Sequence, residues 1–358
     1  MVIGVLVELS NKNIDKVFDY LVPDELVSLI KLGIRVEVPF GRQVLEGFVL
    51  EIKDNDSTRE LKYILGVKDV DVVLNEELML LGKKMQEMTL STLISCYQVM
   101  LPKALKAKQG RTINKKFDTF YSLGDIDATC LKLNSTQEKI LEMVRQKNRV
   151  LRKDLVEISE SSLKTLVKKG ILVEEKLEHY RLSYSGDVVS KKTLTADQER
   201  VVLDVSLDKH DVYLLHGVTG SGKTEVYMEL IEKVLDSGKT SIMLVPEISL
   251  TPQMVSRFQN RFGDKIAALH SALSDGEKYD EWRRIYRGEA SIVIGARSAI
   301  FAPLKDIGII IIDEEHSESY KQSDPSPRYH ARDIAIYRSS IHKCPVVLGS
   351  ATPTLESM

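Results

Sequence analysis

An apolar run, VYLLH at 212–216, leads directly into GVTGSGKT at 217–224, and a stretch with Val226, Met228, Leu230 and Ile231 on one face follows. The GxxxxGK[ST] pattern works only where a buried strand ends, a glycine-rich turn points its N–H groups inward and a helix begins. Phosphate oxygens need that ring of donors at a positive helix end. A strand, loop, helix step of this kind belongs to a parallel sheet covered by helices on both faces. Downstream the step recurs, with apolar runs in TSIMLVPE, KIAALHS, SIVIGARS, IGIIIIDE and PVVLGSAT. The expected fold from 189 to 358 is therefore α/β.

Chemistry follows from the same motif. Gly217, Gly220 and Gly222 free the backbone to wrap a triphosphate, Lys223 reaches its β- and γ-phosphates, and Thr224 offers a hydroxyl to Mg²⁺. IGIIIIDEEH sets Asp313 and Glu314 at the end of a buried strand, the edge where parallel sheets hold ligands. Asp313 suits the Mg²⁺ shell, and Glu314 suits orienting or deprotonating an attacking water. Two acids after a strand are ordinarily helix N-terminal charges; beside a phosphate loop they read as a catalytic pair. Gln198, in LTADQERV, can match adenine N6 and N7, although a lone glutamine is ordinarily a surface residue. His316 and the hydroxyls of Ser350 and Thr352, in GSATP, are candidates for sensing Asp313 and Glu314.

Nucleic acid is the expected second ligand. PEISLTPQ at 246–253, LHS at 269–271 and IGARSAIFAP at 294–303 each follow an apolar strand and can present N–H groups and hydroxyls to a phosphate backbone. Helix capping by Ser249, Thr251 and Ser271 is the plain alternative, and Arg297 is the residue capping explains least. Residues 317–338 mix Tyr320, Arg328, Tyr329, His330 and Arg332 with Pro325 and Pro327, a composition suited to base stacking and phosphate contact. A packed tyrosine cluster is the competing reading.

A chain of 358 residues exceeds one core, so two or three domains are expected. Residues 2–65 alternate like strands, separated by Pro23, Gly33 and Gly41. Residues 76–105 turn helical, with Leu78, Leu81, Met85 and Met88 on one buried face. Residues 134–182 lay out a helix capped by Asn134 or Ser135, a second helix SESSLKTLVKKG and two short strands, the order of a winged helix. Such modules serve as protein contacts or spacers about as often as they read DNA. The basic stretch at 102–117 carries Lys103, Lys106, Lys108, Arg111, Lys115 and Lys116 and reads equally as a linker or a phosphate strip. Net charge is -2, so any pull on DNA is local. Cys96, Cys130 and Cys344 show no CxxC pairing, which fits a reducing cytoplasm. Neither a leader peptide nor a membrane span is expected. The domains are expected at 1–107, 108–188 and 189–358.

With GVTGSGKTEVY, DEEHSESYKQ, RYHARDIAIYR and GSATPTLES in hand, the chain resembles the PriA family of primosomal replication-restart DNA helicases, in superfamily 2. The likeness extends to FDYLVP and VPFGR near the start, and so over essentially the whole sequence. It implies a RecA-like helicase lobe at 189–358, a winged helix touching duplex DNA, and a multidomain α+β and α/β chain overall. It also implies that the small β-rich domain holds the 3′ end of a nascent strand, lined by Phe18, Asp19, Gly41 and Lys62. By composition alone Phe18 reads as core and Asp19 as a turn residue. The implied activity is ATP-dependent 3′-to-5′ unwinding at stalled forks. The implied partners are branched and single-stranded DNA, single-strand-binding protein and helicase-loading primosome proteins. The family continues past GSATP into a second lobe bearing an arginine finger and into a cysteine-rich region binding zinc; neither is in this sequence. The expectation is that these residues alone hydrolyse ATP slowly, and a fork-DNA adaptor without turnover is the alternative.

Overall fold

The computed structural model describes residues 1–54, 60–108, 113, 115–126, 133–182, 191 and 193–358. Cys130, Arg111 and the boundary at 188 lie outside the described residues. Two compact units emerge, one of residues 1–113 with 182–358 and one of residues 114–181.

The first unit begins with strands β1 (Val2–Val7), β2 (Val17–Leu21), β3 (Arg35–Phe40), β4 (Gln43–Lys53) and β5 (Gly66–Val67), in the order β2-β1-β4-β3-β5. Residues 62–65 stitch the two ends of this antiparallel sheet together. The Leu21 N–H donates to the Lys62 carbonyl (2.9 Å), the Ile64 N–H to the Leu21 carbonyl (3.0 Å) and the Leu65 N–H to the Glu37 carbonyl (2.8 Å). The resulting barrel encloses Ile3, Val5, Val36, Val38 and Val49, all buried. Asp19 lies within β2, paired with Gly4, rather than in the turn that its composition suggests.

The helical stretch expected over 76–105 is broken. Helix α1 (Glu76–Thr89) is capped by the Asn75 side chain and ends at Leu90 in the left-handed region (φ 53°), and α2 (Leu93–Met100) follows. The Asp15 carboxylate accepts the Leu93 N–H at 2.9 Å and so starts α2. The break turns Met88 out to solvent, against the expected stripe, while Leu78, Leu81 and Met85 remain buried.

In the second unit, β6 (Lys116–Leu123) precedes α3 (Ser135–Lys147), β7 (Val150–Leu151), α4 (Arg152–Lys168) and β8 (Leu172–His179), with strand order β7-β6-β8. Asn134 caps α3 in a capping box with Gln137. Part of the basic stretch is thus a strand, since Lys116 pairs with His179. The wing of two short strands is instead a single strand, β8, laid on β6. α4 is kinked at Ser159, so a further helical segment precedes the expected SESSLKTLVKKG helix.

The large sheet contains α5 (Ala196–Asp204), β9 (Val212–His216), α6 (Lys223–Asp236), β10 (Thr240–Leu244), α7 (Pro252–Phe262), β11 (Ile266–Leu269), α8 (Asp275–Tyr286), β12 (Ile292–Gly295), β13 (Ile307–Asp313), α9 (Ala331–His342) and β14 (Val346–Ser350) around it. All pairs are parallel, in the order β11-β12-β10-β13-β14-β9. β10, β12 and β13 are almost wholly buried, as a sheet covered on both faces demands. The buried face of α1 and α2 shares one core with Ile300, Phe301 and Tyr329 of the lobe. Arg338, fully buried on α9, crosses to the Glu77 carboxylate of α1 at 2.6 and 3.0 Å. Among the described residues no helix is long and apolar enough to cross a membrane.

Candidate nucleotide and DNA site

The phosphate loop sits where β9 ends and α6 begins. Gly220 (φ +82°) and Gly222 (φ +85°) both adopt the left-handed conformation, and Gly222 is the N-cap of α6. A Cβ on Gly222 would come within 2.3 Å of the Gln198 amide nitrogen. Lys223 donates its ammonium to the Gly217 carbonyl at 2.8 Å and stands 3.9 Å from Glu314. Gln198 braces the loop: its amide nitrogen donates to the Ser221 carbonyl at 3.0 Å, and its amide oxygen accepts the Thr195 N–H at 3.0 Å. That bracing role is additional to the adenine contact expected from its sequence position.

Asp313 ends β13 opposite the loop. The Tyr227 hydroxyl donates to its Oδ1 at 3.0 Å, and the Tyr320 hydroxyl donates to its backbone carbonyl at 2.6 Å. Burial raises the Asp313 carboxyl above its ordinary range, an effect the Tyr227 hydrogen bond and Lys223 oppose. The fit around Tyr227 is close, because a Cβ at Gly349 would fall 1.6 Å from its hydroxyl oxygen. Thr224 and Asp313 line one cavity of about 730 Å³ together with Arg257 and Arg261. A hydroxyl and a carboxylate lining one cavity fit a hard divalent cation, whereas Arg257 and Arg261 are already paired with Glu225, Glu229 and Glu232.

Polar side chains lead from Glu314 to β14. His316 Nδ1 lies 2.8 Å from Ser350 Oγ and 3.6 Å from Glu314, and the Thr352 N–H donates to the same Oγ at 3.0 Å. Glu315, 2% exposed, donates its N–H to the Gly349 carbonyl at 3.0 Å. Its carboxylate accepts the Thr354 N–H at 2.7 Å and the Ser357 hydroxyl at 2.8 Å.

The 317–332 segment corrects the stacking expectation. Tyr320 (0% exposed) and Tyr329 (2%) are packed in the core, so their rings are not available to bases; the packed-tyrosine reading holds. Arg332 turns toward Ser357 (3.1 Å) and the Glu315 carboxylate (3.6 Å) rather than to a phosphate. His330 caps α9 through Nδ1, which accepts the Arg332 N–H, and burial lowers its pKa. Arg297 donates to the Lys321 carbonyl at 2.8 Å and to Gln322 Oε1 at 3.2 Å, so it ties the loop after β12 to this segment. Arg328 is exposed. Thr251 does cap α7, as the plain reading of that motif has it, whereas α8 is capped by Ser274 and not by Ser271.

At the barrel mouth, Phe18 packs edge-on against Phe40 (5.1 Å, 81°), which brings it beside Gly41 in the turn between β3 and β4. Gly41 has φ +60°, and a Cβ there would meet only open space. Asp19 points to the other face of β2, where it accepts from Lys53 at 2.9 Å. Lys62 contributes its carbonyl to the closure of the barrel and leaves its side chain exposed.

Comparison with known proteins gives a family match at each end of the chain. Residues 4–102 match the 3′DNA-binding domain (3′BD) family and residues 195–358 the DEAD/DEAH box helicase family. The replication restart protein PriA of Bacillus subtilis is 42% identical over 432 residues, covering 99% of this chain and 53% of that protein. Its namesake in Chlamydia pneumoniae is 34% identical over 363 residues, covering 96% of this chain and 48% of its own. The chain belongs to the PriA family. It spans about half the length of these curated relatives.

Within this PriA-family chain, two buried residues that hold the site together escaped sequence reasoning. Tyr227 was legible only as one more apolar position of α6, although a tyrosine on an otherwise aliphatic face is a usable signal. Glu315 stood in the shadow of Asp313 and Glu314; its burial and its partners Thr354 and Ser357 come from residues that β14 delivers.

Proposed function

We propose that this chain carries the ATP-hydrolysing, DNA-engaging part of a 3′-to-5′ helicase that acts at stalled replication forks in replication restart. The observation that carries the reading is the position of Asp313: its carboxylate accepts from Tyr227 of the helix that follows the phosphate loop, and its carbonyl accepts from Tyr320 of the segment held by Arg297. A change at the phosphates thereby reaches the loops that face DNA. ATP would bind across the phosphate loop, where Thr224 and Asp313 would hold Mg²⁺, which would supply neutralisation of the charge that develops on the phosphates. Lys223 meets the β- and γ-phosphates, Glu314 orients the attacking water, and Tyr227 fixes the Asp313 carboxylate. Single-stranded DNA crosses the sheet edge at 246–253, 269–271 and 294–303, with Arg328 exposed beside it. The barrel mouth, with Phe18, Asp19, Gly41 and Lys62, receives the 3′ end of a nascent strand. Branched DNA, single-strand-binding protein and primosome proteins are the partners that family membership suggests.

Lys223→Ala tests the reading. ATP turnover should fall by about 100-fold or more, while fork-DNA binding, followed by anisotropy of a labelled fork, should change less than about twofold. Retained turnover, or fork binding lost together with it, argues against the assignment.

A further inference from the structure

Residues 99–106, leaving α2, close a second cavity of about 440 Å³ against the loops that follow β11 and β12. That volume falls within the roughly 300–1,000 Å³ of small-ligand sites. Met100, Leu101, Trp282 and Phe301 supply apolar wall, and Lys103, Lys106 and Arg297 supply cationic groups. Trp282, 6% exposed, lies flat against Tyr286 (5.1 Å, 8°), and its indole N–H has no hydrogen-bond partner among the described residues. Arg297 instead lies against the ring of the core residue Tyr329 (5.8 Å). A buried donor left unmet is costly, so the Trp282 N–H at this cavity asks for a ligand that brings an acceptor. The acids on the rim fill only part of that demand: Asp275 takes Lys103 at 3.3 Å, and no ion pair of Lys106 exists among the described residues. Burial, reinforced by Lys103 and Lys108, pushes the Lys106 ammonium down, a strain that a bound anion relieves.

An apolar slot, an indole donor without an acceptor and a cation at the rim match one nucleotide: a flat base with carbonyl oxygens, followed by a phosphate. We infer that this cavity takes a single unstacked nucleobase of bound single-stranded DNA, with the Trp282 N–H donating to a base carbonyl and Lys106 meeting a flanking phosphate. The inference rests on the reading that the strand crosses this edge of the sheet. A base held here anchors the strand between steps, which phosphate contacts alone do only weakly.

Trp282 is the single tryptophan of the sequence, so its emission reports on this cavity directly. The test titrates the chain with oligothymidylate and with an abasic oligomer of equal length, reading anisotropy of a label on the DNA for binding and tryptophan emission for occupancy. Both oligomers should bind, and only oligothymidylate should change the emission. Trp282→Phe and Lys106→Met should each weaken oligothymidylate binding about fivefold, which corresponds to about 1 kcal/mol. Trp282→Phe should leave the abasic oligomer unaffected. Saturated binding without a change in emission overturns the inference, as does equal quenching by the abasic oligomer or an equal loss for both oligomers in Trp282→Phe. Absence of any anisotropy change with either oligomer defeats the underlying strand reading, and the inference falls with it.

Discussion

At the nucleotide edge of the lobe, Tyr227, Glu315 and Ser350 are buried and each is hydrogen-bonded within the site; on the barrel, Asp19 and Lys62 are exposed and Gly41 borders open space. The first region is held in one arrangement before any ligand arrives, as chemistry on a phosphate requires, because charge stabilisation works through groups that need not reorganise. The second has a barrel core beneath it but leaves its polar groups to solvent or to a surface ion pair, as would suit the proposed admission of a chain end. Substitutions should therefore behave differently in the two places, costing both fold and rate at the lobe and chiefly recognition at the barrel.

The largest effect should come from the joint between them. Arg338→Leu leaves the part-buried Glu77 with only His342 beside it and should destabilise the chain by about 3 kcal/mol in chemical denaturation. Glu77 also makes the joint sensitive to acid. Burial alone would raise its carboxyl, but Arg338 and His342 outweigh that and hold it at about 2. The stabilisation, on the order of 3 kcal/mol, is fully present above the ordinary carboxylate range and is lost as pH falls toward about 2. Arg338→Leu should remove most of that acid dependence; an unchanged pH profile shows that the pair contributes nothing.

Gly349→Ala comes next. The new methyl must displace the buried Tyr227 hydroxyl, so a loss of about 1–3 kcal/mol is expected from overpacking. A fall in ATP turnover of about 100-fold should follow, because the Asp313 carboxylate loses its fixed position. Wild-type turnover in this variant would show that Tyr227 does not position Asp313. Tyr227→Phe isolates the hydroxyl itself and should slow turnover by about tenfold with a stability change of about 1 kcal/mol. The smallest stability effect, under about 0.5 kcal/mol, is expected for Asp19→Ala, since its ion pair with Lys53 is exposed. Its effect belongs in binding: the variant should cease to discriminate forks with a free 3′-OH from forks with a 3′-phosphate. Equal binding of both forks by the unmodified chain removes the 3′-end reading.

Much of the lobe was legible because its signals are local. A strand, a glycine turn and a helix are adjacent in sequence at 212–236, and the parallel sheet follows from apolar runs too hydrophobic to face water. The aromatic segment at 317–332 was less legible, because a tyrosine has the same composition whether it stacks on a base or fills a core. Only the packing of Phe301 against Tyr329 and the reach of Tyr320 to Asp313 separate the two. The wing was misjudged for a related reason, since the partner of β8 is β6, a strand that lies before both helices in sequence.

The sequence by itself determined the phosphate loop, the acids at the end of β13 and the barrel strands, because each depends on neighbours a few residues away. Tertiary structure alone decided that Gln198 braces the loop, that Tyr227 and Glu315 hold the acids and their surroundings, and that Arg297 and Arg332 turn inward. It also placed Trp282 beside residues 99–106. These outcomes depend on which distant backbone closes over a side chain, and so on whether its polar atoms find a partner inside the protein or leave one to be supplied by a ligand.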